Sequence, residues 1–456
     1  MGAGPAPQGT QALPETFDLV LKGGTVVNHA GEGVADIGVR DGRIAAIGSL
    51  AKTSAAKTID ATGLHILPGV IDTQVHFREP GMEHKEDLAT GSRSAVLGGV
   101  TAVFEMPNTK PATTSEAALA DKVARATGRM HCDFAFFVGA TRDNVDDLAE
   151  LERLPGAAGI KVFMGSSTGD LLVDEEATLR RVLAAINRRA AFHAEDEARL
   201  KSRTHIQREG DASSHSEWRD AEAALIATSR LVRIASEFGK RVHVLHVSTA
   251  DEMALLAQHK DVATVEVTPQ HLTLTTEEAY AALGTHAQMN PPLRDRAHQE
   301  ALWRALDQGV VDVLGSDHAP HTRDEKAKSY PGTPSGMPGV QTLVPVMRDH
   351  VNAGRLSLAR FVDLTSAGPA RIFNIASKGR IAVGYDADLT VVDLKAERVI
   401  EHDWIGSKSG WTPFAGRKVR GWPVGTILRG RAAMWDGEVA APEGRAVRFL
   451  EALPLI

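Results

Sequence analysis

The sequence predicts an α/β protein, a (β/α)₈ TIM barrel carrying a small β-sandwich built from both chain ends. Three observations predict it. Between residues 65 and 375, eight short apolar runs alternate with stretches rich in Ala, Leu, Arg and Glu. The two ends of the chain instead alternate apolar and polar residues between Gly-rich turns. Residues able to ligate a metal stand at the tails of the apolar runs, and strand C-terminal ends are where a barrel builds its active site.

The elements follow in order. Residues 1–15, rich in Gly, Pro and Ala, read as a disordered leader, since no charged segment precedes an apolar one. Residues 16–64 contain FDLVLKGGTVV, ADIGVRDGRIAAIG and KTIDATG, short strands joined by Gly-rich and Asp-Gly turns. Residues 65–375 hold the barrel strands: HILPGVIDTQVHF, GVTAVFEMP, DFAFFVGA, GIKVFMG, AAFHAE, RVHVLHVS, VATVEVTP and VDVLGSD. SEAALADKVARA and DAEAALIATSRLVRIASEFG are the clearest helices between them. Gly98 and Gly99 point to tight helix–strand packing before the second strand. Residues 376–456 return to the first texture in GRIAVGYDADLTVVDL and GRKVRGWPVGTILRGRAAMWDGEV. Neither end has enough strands to bury a face alone, so the two are expected to combine. A doubly wound open sheet would need a Gly-rich phosphate turn after its first strand, and VHFREPG is not one.

Composition narrows the function classes. The 456 residues are 43% hydrophobic and 24% charged, ordinary for a globular protein of this length. A net charge of −7 argues against a general nucleic-acid binder. No apolar run is long enough to span a bilayer. The single cysteine, Cys132, excludes an internal disulfide framework, so a cytoplasmic setting is expected.

His76, Lys161, His193, His246 and Asp317 lie at the tails of HILPGVIDTQVH, GIKVFM, AAFHAED, RVHVLHVST and VVDVLGSDHAPH. One histidine at a strand end is ordinarily a satisfied polar residue. Three at equivalent ends, with a carboxylate, make a set that zinc prefers. Lys161 reads equally as a snorkelling or salt-bridged lysine or as a carbamylated one, because an ammonium beside divalent cations is strongly disfavoured. Asp317 suits a general base for an activated water, or a helix N-cap. Arg78 offers a bidentate fork for an anion, against a salt bridge to Glu79 or Glu83. Asn108 reads otherwise as a turn residue after Pro107. The run YPGTPSGMPG, residues 330–339, is a rigid connection or a pocket wall supplying backbone donors.

These residues resemble the dihydroorotase branch of the cyclic amidohydrolases. The motifs are VHFREPG (75–81), EMPNT (105–109), GIKVFMGSSTG (159–169), HVST (246–249), VTPQHL (267–272), MNPPLR (289–294) and SDHAPHTRDEK (316–326). The resemblance spans nearly the whole chain. It implies reversible hydrolysis of the cyclic amide of (S)-dihydroorotate to N-carbamoyl-L-aspartate by a metal-activated water, a step of pyrimidine biosynthesis. It implies Zn²⁺ held by Lys161 as N6-carboxylysine, with His193 and His246 on one ion and His76 and Asp317 on the other. The family's His-x-His pair reads here Gln74-Val75-His76. An amide oxygen is a weaker zinc donor than imidazole, so one tight and one weaker zinc are expected, with Gln74 a weak or absent ligand. The resemblance assigns Arg78, Asn108 and His321 to the substrate carboxylate and Asn290 to the ring. His271 lines the pocket or is structural. A homo-oligomer, dimer or tetramer, is expected, and association with aspartate transcarbamoylase is a further implication.

Two other readings stand beside it. An allantoinase, or a hydantoinase or dihydropyrimidinase, shares the GIKVFMGSSTG texture. A non-catalytic partner of aspartate transcarbamoylase would explain Gln74, but has no need of Lys161, His193, His246 and Asp317.

Overall fold

The computed structural model describes residues 16–166 and 171–451. The expected leader, residues 1–15, and the end of the GIKVFMGSSTG motif lie outside the described residues. The first five strands are β1 (Thr16–Asn28), β2 (Gly31–Arg40), β3 (Arg43–Gly48), β4 (Ser54–Asp60) and β5 (His65–Pro68). The next eight are β6 (Val70–Val75), β7 (Val100–Glu105), β8 (Asp133–Gly139), β9 (Ala157–Phe163), β10 (Ala190–His193), β11 (Val242–Val244), β12 (Ala263–Val267) and β13 (Val313–Leu314). The last four are β14 (Leu389–Val399), β15 (Lys418–Leu428), β16 (Arg431–Trp435) and β17 (Glu438–Val439).

Strands β6 to β13 form one parallel sheet in sequence order. The sheet closes through a parallel bridge between Val75 and His318, where the His76 N–H donates to the His318 carbonyl at 2.7 Å. A parallel sheet covered by helices buries both faces, which is why β7, β8 and β9 are apolar without alternation. The remaining nine strands share a second sheet in which β5 joins β1 to β14, so both chain ends meet there. Leu19, Ile37, Ile66, Val391 and Ile427 form its core.

One apolar run does two jobs. HILPGVIDTQVH, expected as a single barrel strand, is broken at Gly69: His65–Pro68 pairs with the sandwich strands and Val70–Val75 opens the barrel. Pro68 cannot donate to a continuing ladder. The helices expected from SEAALADKVARA and DAEAALIATSRLVRIASEFG span Glu116–Ala126 and Ala221–Glu237, capped by the Ser115 and Asp220 side chains. Gly98 ends the helix Leu88–Leu97 and abuts the Gln341 backbone, where a Cβ would come within 2.5 Å of the carbonyl oxygen. A buried ion network joins the two sheets: Lys378 bonds Asp133 at 2.7 Å and also Asp388, while Arg429 bonds Asp133.

Candidate active site

Gln74, His76, Arg78, Lys161, His193, His246, Asn290 and Asp317 line one cavity at the C-terminal ends of the barrel strands, with Phe163, Ala319, Ser335 and Gly336 completing it. Each strand end contributes by local geometry. Gln74 and His76 are two residues apart and share a face of the chain leaving β6. Arg78, His246 and Asp317 adopt φ of 65°, 37° and 44°, left-handed backbone that non-glycine residues enter at a cost of order 1–3 kcal/mol. All three follow directly on barrel strands, and the reversal turns their side chains into the barrel mouth.

Two pairs of donor atoms face each other. His76 Nδ1 donates to Asn108 Oδ1 at 2.8 Å, so its Nε2 carries a lone pair. That Nε2 lies 3.3 Å from Asp317 Oδ1, one acceptor against another. The second pair is His193 and His246, within hydrogen-bond reach of each other. His193 Nε2 lies 2.9 Å from Glu195 Oε2, which leaves the Nδ1 lone pair 3.1 Å from His246 Nε2. Burial holds all three imidazoles below their ordinary pKa, so they are neutral. Asp317 is shifted well below the carboxylate range despite its burial, because its neighbours His76, His246 and Lys161 favour the ionised form.

Lys161 sits among these groups with its Nζ buried and no hydrogen-bond partner among the described residues. The snorkelling or salt-bridged alternative does not occur: the ammonium lies 4.5 Å from the Phe163 ring centre instead. Desolvation pushes its pKa down to about 7. Among the described residues no three His, Cys, Asp or Glu side chains close on one point. The donors come instead as two pairs sharing a cavity with a lysine. The His76 lone pair facing the Asp317 carboxylate, and a buried low-pKa amine beside two neutral imidazoles, are the chemistry a divalent cation would relieve, so the residues fit a metal centre.

Gln74 donates from Nε2 to Asp317 Oδ1 at 3.0 Å, and its Oε1 is buried without a partner among the described residues. Asp317 is not a helix cap; Thr322 caps the short helix Arg323–Lys326. Arg78 is 2% exposed and forms no ion pair among the described residues. Glu79 pairs with Arg129 at 2.7 Å, and Glu83 accepts from the Gly81 N–H. Arg78 donates from Nε to the Pro320 carbonyl at 3.2 Å and stands 3.4 Å from His321 Nε2. Burial brings its pKa down to about 10, still charged at neutral pH.

Asn108 and His321 stand behind the cavity rather than in its lining, Asn108 on His76 and His321 between Arg78, Lys85 and the Ser335 carbonyl. Asn290 does line it. His215 Nε2 donates to Asn290 Oδ1 at 2.8 Å, which leaves the Asn290 amide N–H groups for the cavity. His271 is structural: it bonds Thr268 and the carbonyls of Pro291 and Pro292, fixing the loop that carries Asn290.

A family model for the amidohydrolase family matches residues 65–433. The chain belongs to the amidohydrolase family. A dihydroorotase of Halobacterium salinarum is 41% identical over 91% of the chain and 97% of the relative. An allantoinase of Rubrobacter xylanophilus is 38% identical over 95% and 98%. Among solved structures, an L-hydantoinase (dihydropyrimidinase) from Arthrobacter aurescens superposes with a TM-score of 0.90 at 31% identity, covering 95% of this chain and all of that one.

Several working parts of this amidohydrolase escape a reading of the sequence. Glu195 buttresses His193 and is itself clamped by Arg219, which donates from Nε to Glu195 Oε1 at 3.1 Å. The glutamate two residues after a candidate ligand was a usable signal; its arginine, 24 positions on, carried none. Ser335 and Gly336 make the 330–339 run a pocket wall. It offers shape more than donors, because the Gly336 N–H is spent on the Gln288 carbonyl. At φ +134°, with the Ala319 carbonyl 2.5 Å from where a Cβ would sit, Gly336 accepts no side chain.

Proposed function

We propose that this amidohydrolase is a dihydroorotase, interconverting dihydroorotate and N-carbamoyl-L-aspartate. The observation that carries the reading is Arg78. A buried, charged guanidinium with no carboxylate partner among the described residues, in the same cavity as the donor pairs, calls for an anionic substrate. Dihydroorotate carries a carboxylate beside its cyclic amide, whereas allantoin and hydantoin do not. The 41% identity to a dihydroorotase over nearly the whole chain supports the same choice.

Lys161, as its carbamate, would be shared by two divalent metal ions. His193 and His246 would complete one site, and His76 and Asp317 the other, with Gln74 a weak donor. When bound, the metal polarises the amide carbonyl and lowers the pKa of water. Asp317, ionised in the folded chain, takes the proton of the attacking water and returns it to the leaving amide nitrogen. The same proton path serves the cyclising direction. Arg78 fixes the substrate carboxylate, and Asn290 presents its amide hydrogens to the ring. Asn108 holds the His76 tautomer, and His321 and the Pro320 carbonyl hold Arg78.

Arg78→Met tests the reading. It should leave metal content intact and cost on the order of 2–4 kcal/mol of transition-state binding, about 30- to 1000-fold in kcat/KM for dihydroorotate. Unchanged kcat/KM would show that Arg78 does not hold the substrate carboxylate.

A further inference from the structure

A second cavity, about 280 Å³, opens at the opposite end of the barrel. It is lined by Arg188, Arg189, Lys240 and Arg241, which precede β10 and β11, together with Asn374 and Glu451. Glu451 is its one carboxylate, and it is committed to Arg188, whose Nε lies 3.2 Å from Glu451 Oε2. The rest of the Arg188 fork is spent on the carbonyls of Glu152, Ala157 and Ala158.

The other three cations have no such partner. Arg189 donates from Nη1 to Thr264 Oγ1 at 3.0 Å, and its Nε is buried with no hydrogen bond. Lys240 donates to the Ile186 carbonyl at 2.6 Å. Arg241 is exposed and makes neither a hydrogen bond nor an ion pair among the described residues. Three positive groups that form no ion pair thus share one concave wall. Their mutual repulsion is offset by solvent and, at Arg189, in part by the more distant charges of Asp312 and Glu451, and a multiply charged anion would replace that solvent. Burial and the neighbouring Arg241 both lower the Arg189 pKa, which stays at about 10.

We propose that this cavity binds a small phosphate dianion, free or as a phosphate monoester, between Arg189, Lys240 and Arg241. Planar guanidinium forks match phosphate oxygens, and the volume admits little more than a small ester. The site is distinct from the catalytic cavity. Ala158, which lines it, lies three residues before Lys161 on β9, roughly 10 Å along the strand. The strands that begin at this cavity lead to Lys161, His193 and His246, so an occupant would bear directly on the frame of the metal-ligand candidates.

Isothermal titration of the full chain with inorganic phosphate, and separately with glycerol phosphate, up to ~10 mM tests the proposal. One saturable site per chain is expected, and the tighter of the two anions identifies the source. Arg241→Met, which breaks no internal contact, should weaken binding about 10- to 100-fold, and Arg189→Met should do the same. Arg78→Met should leave binding unchanged, and Arg398→Met, an exposed charge elsewhere, controls for net charge. No saturable binding in the wild type would overturn the proposal. So would binding that survives both Arg241→Met and Arg189→Met, or binding that is lost in Arg78→Met, which would locate the anion in the catalytic cavity.

Discussion

Lys161 combines three properties that are costly apart and useful together: burial, no hydrogen-bond partner among the described residues and a pKa brought down to about 7. Carbamate formation needs the neutral amine, so the shift makes the lysine reactive near neutrality. Recovery of metal binding by bicarbonate, after carbon dioxide and metal are removed, should therefore rise with pH through about 7 and level off above it. Metal uptake measured against pH checks this, and a flat profile would mean the lysine is not modified. Lys161→Ala should lose most bound metal and nearly all turnover, with partial rescue by short carboxylic acids. At Gln74 the expectation is graded. Wild-type protein should carry between one and two zinc ions per chain, the second removed first by chelator. Gln74→His should tighten that second ion, since imidazole binds zinc better than an amide oxygen. Two equally tight ions in the wild type, unchanged in the variant, would show that the amide at position 74 is harmless.

At the scale of single elements, the strand ends were legible because a parallel strand buried on both faces leaves an unmistakable apolar run. A polar residue ending such a run has few reasons to be there. The turn of HILPGVIDTQVH from one sheet into the other was not legible, because both halves are apolar and only Pro68-Gly69 marks the break. The buttresses were equally hidden. Glu195 and Arg219 meet only when the barrel closes β10 against the segment before the helix Ala221–Glu237. His215 meets Asn290 across 75 positions. Glu195→Gln tests the buttress. It should lower metal affinity about 10- to 100-fold by releasing the His193 tautomer. It should also cost about 3–5 kcal/mol of stability, because Arg219 loses the partner of its buried charge. Zinc titration and thermal unfolding of metal-free protein separate the two effects. Native zinc affinity in a destabilised variant would leave Glu195 a structural role alone.

The molecule as a whole is a barrel whose two ends serve different chemistry. The C-terminal ends of the strands gather neutral imidazoles, an ionised carboxylate, a low-pKa lysine and one unpaired arginine in a cavity walled by Phe163, Ala319, Ser335 and Gly336. The sandwich stands beside the barrel and contributes none of these lining residues. Its link is the buried network of Asp133, Lys378, Asp388 and Arg429, in which Asp133 lies 245 positions from Lys378 and 296 from Arg429 and left no pattern to read. Substrate choice is the whole-molecule property that matters most, and one experiment reaches it. Zinc content and turnover should be measured on the same sample, with dihydroorotate, allantoin, hydantoin and dihydrouracil as parallel substrates. The account predicts zinc-bearing protein that opens dihydroorotate to N-carbamoyl-L-aspartate in preference to the three neutral rings. Zinc-bearing protein that hydrolyses allantoin or a hydantoin faster than dihydroorotate would contradict it.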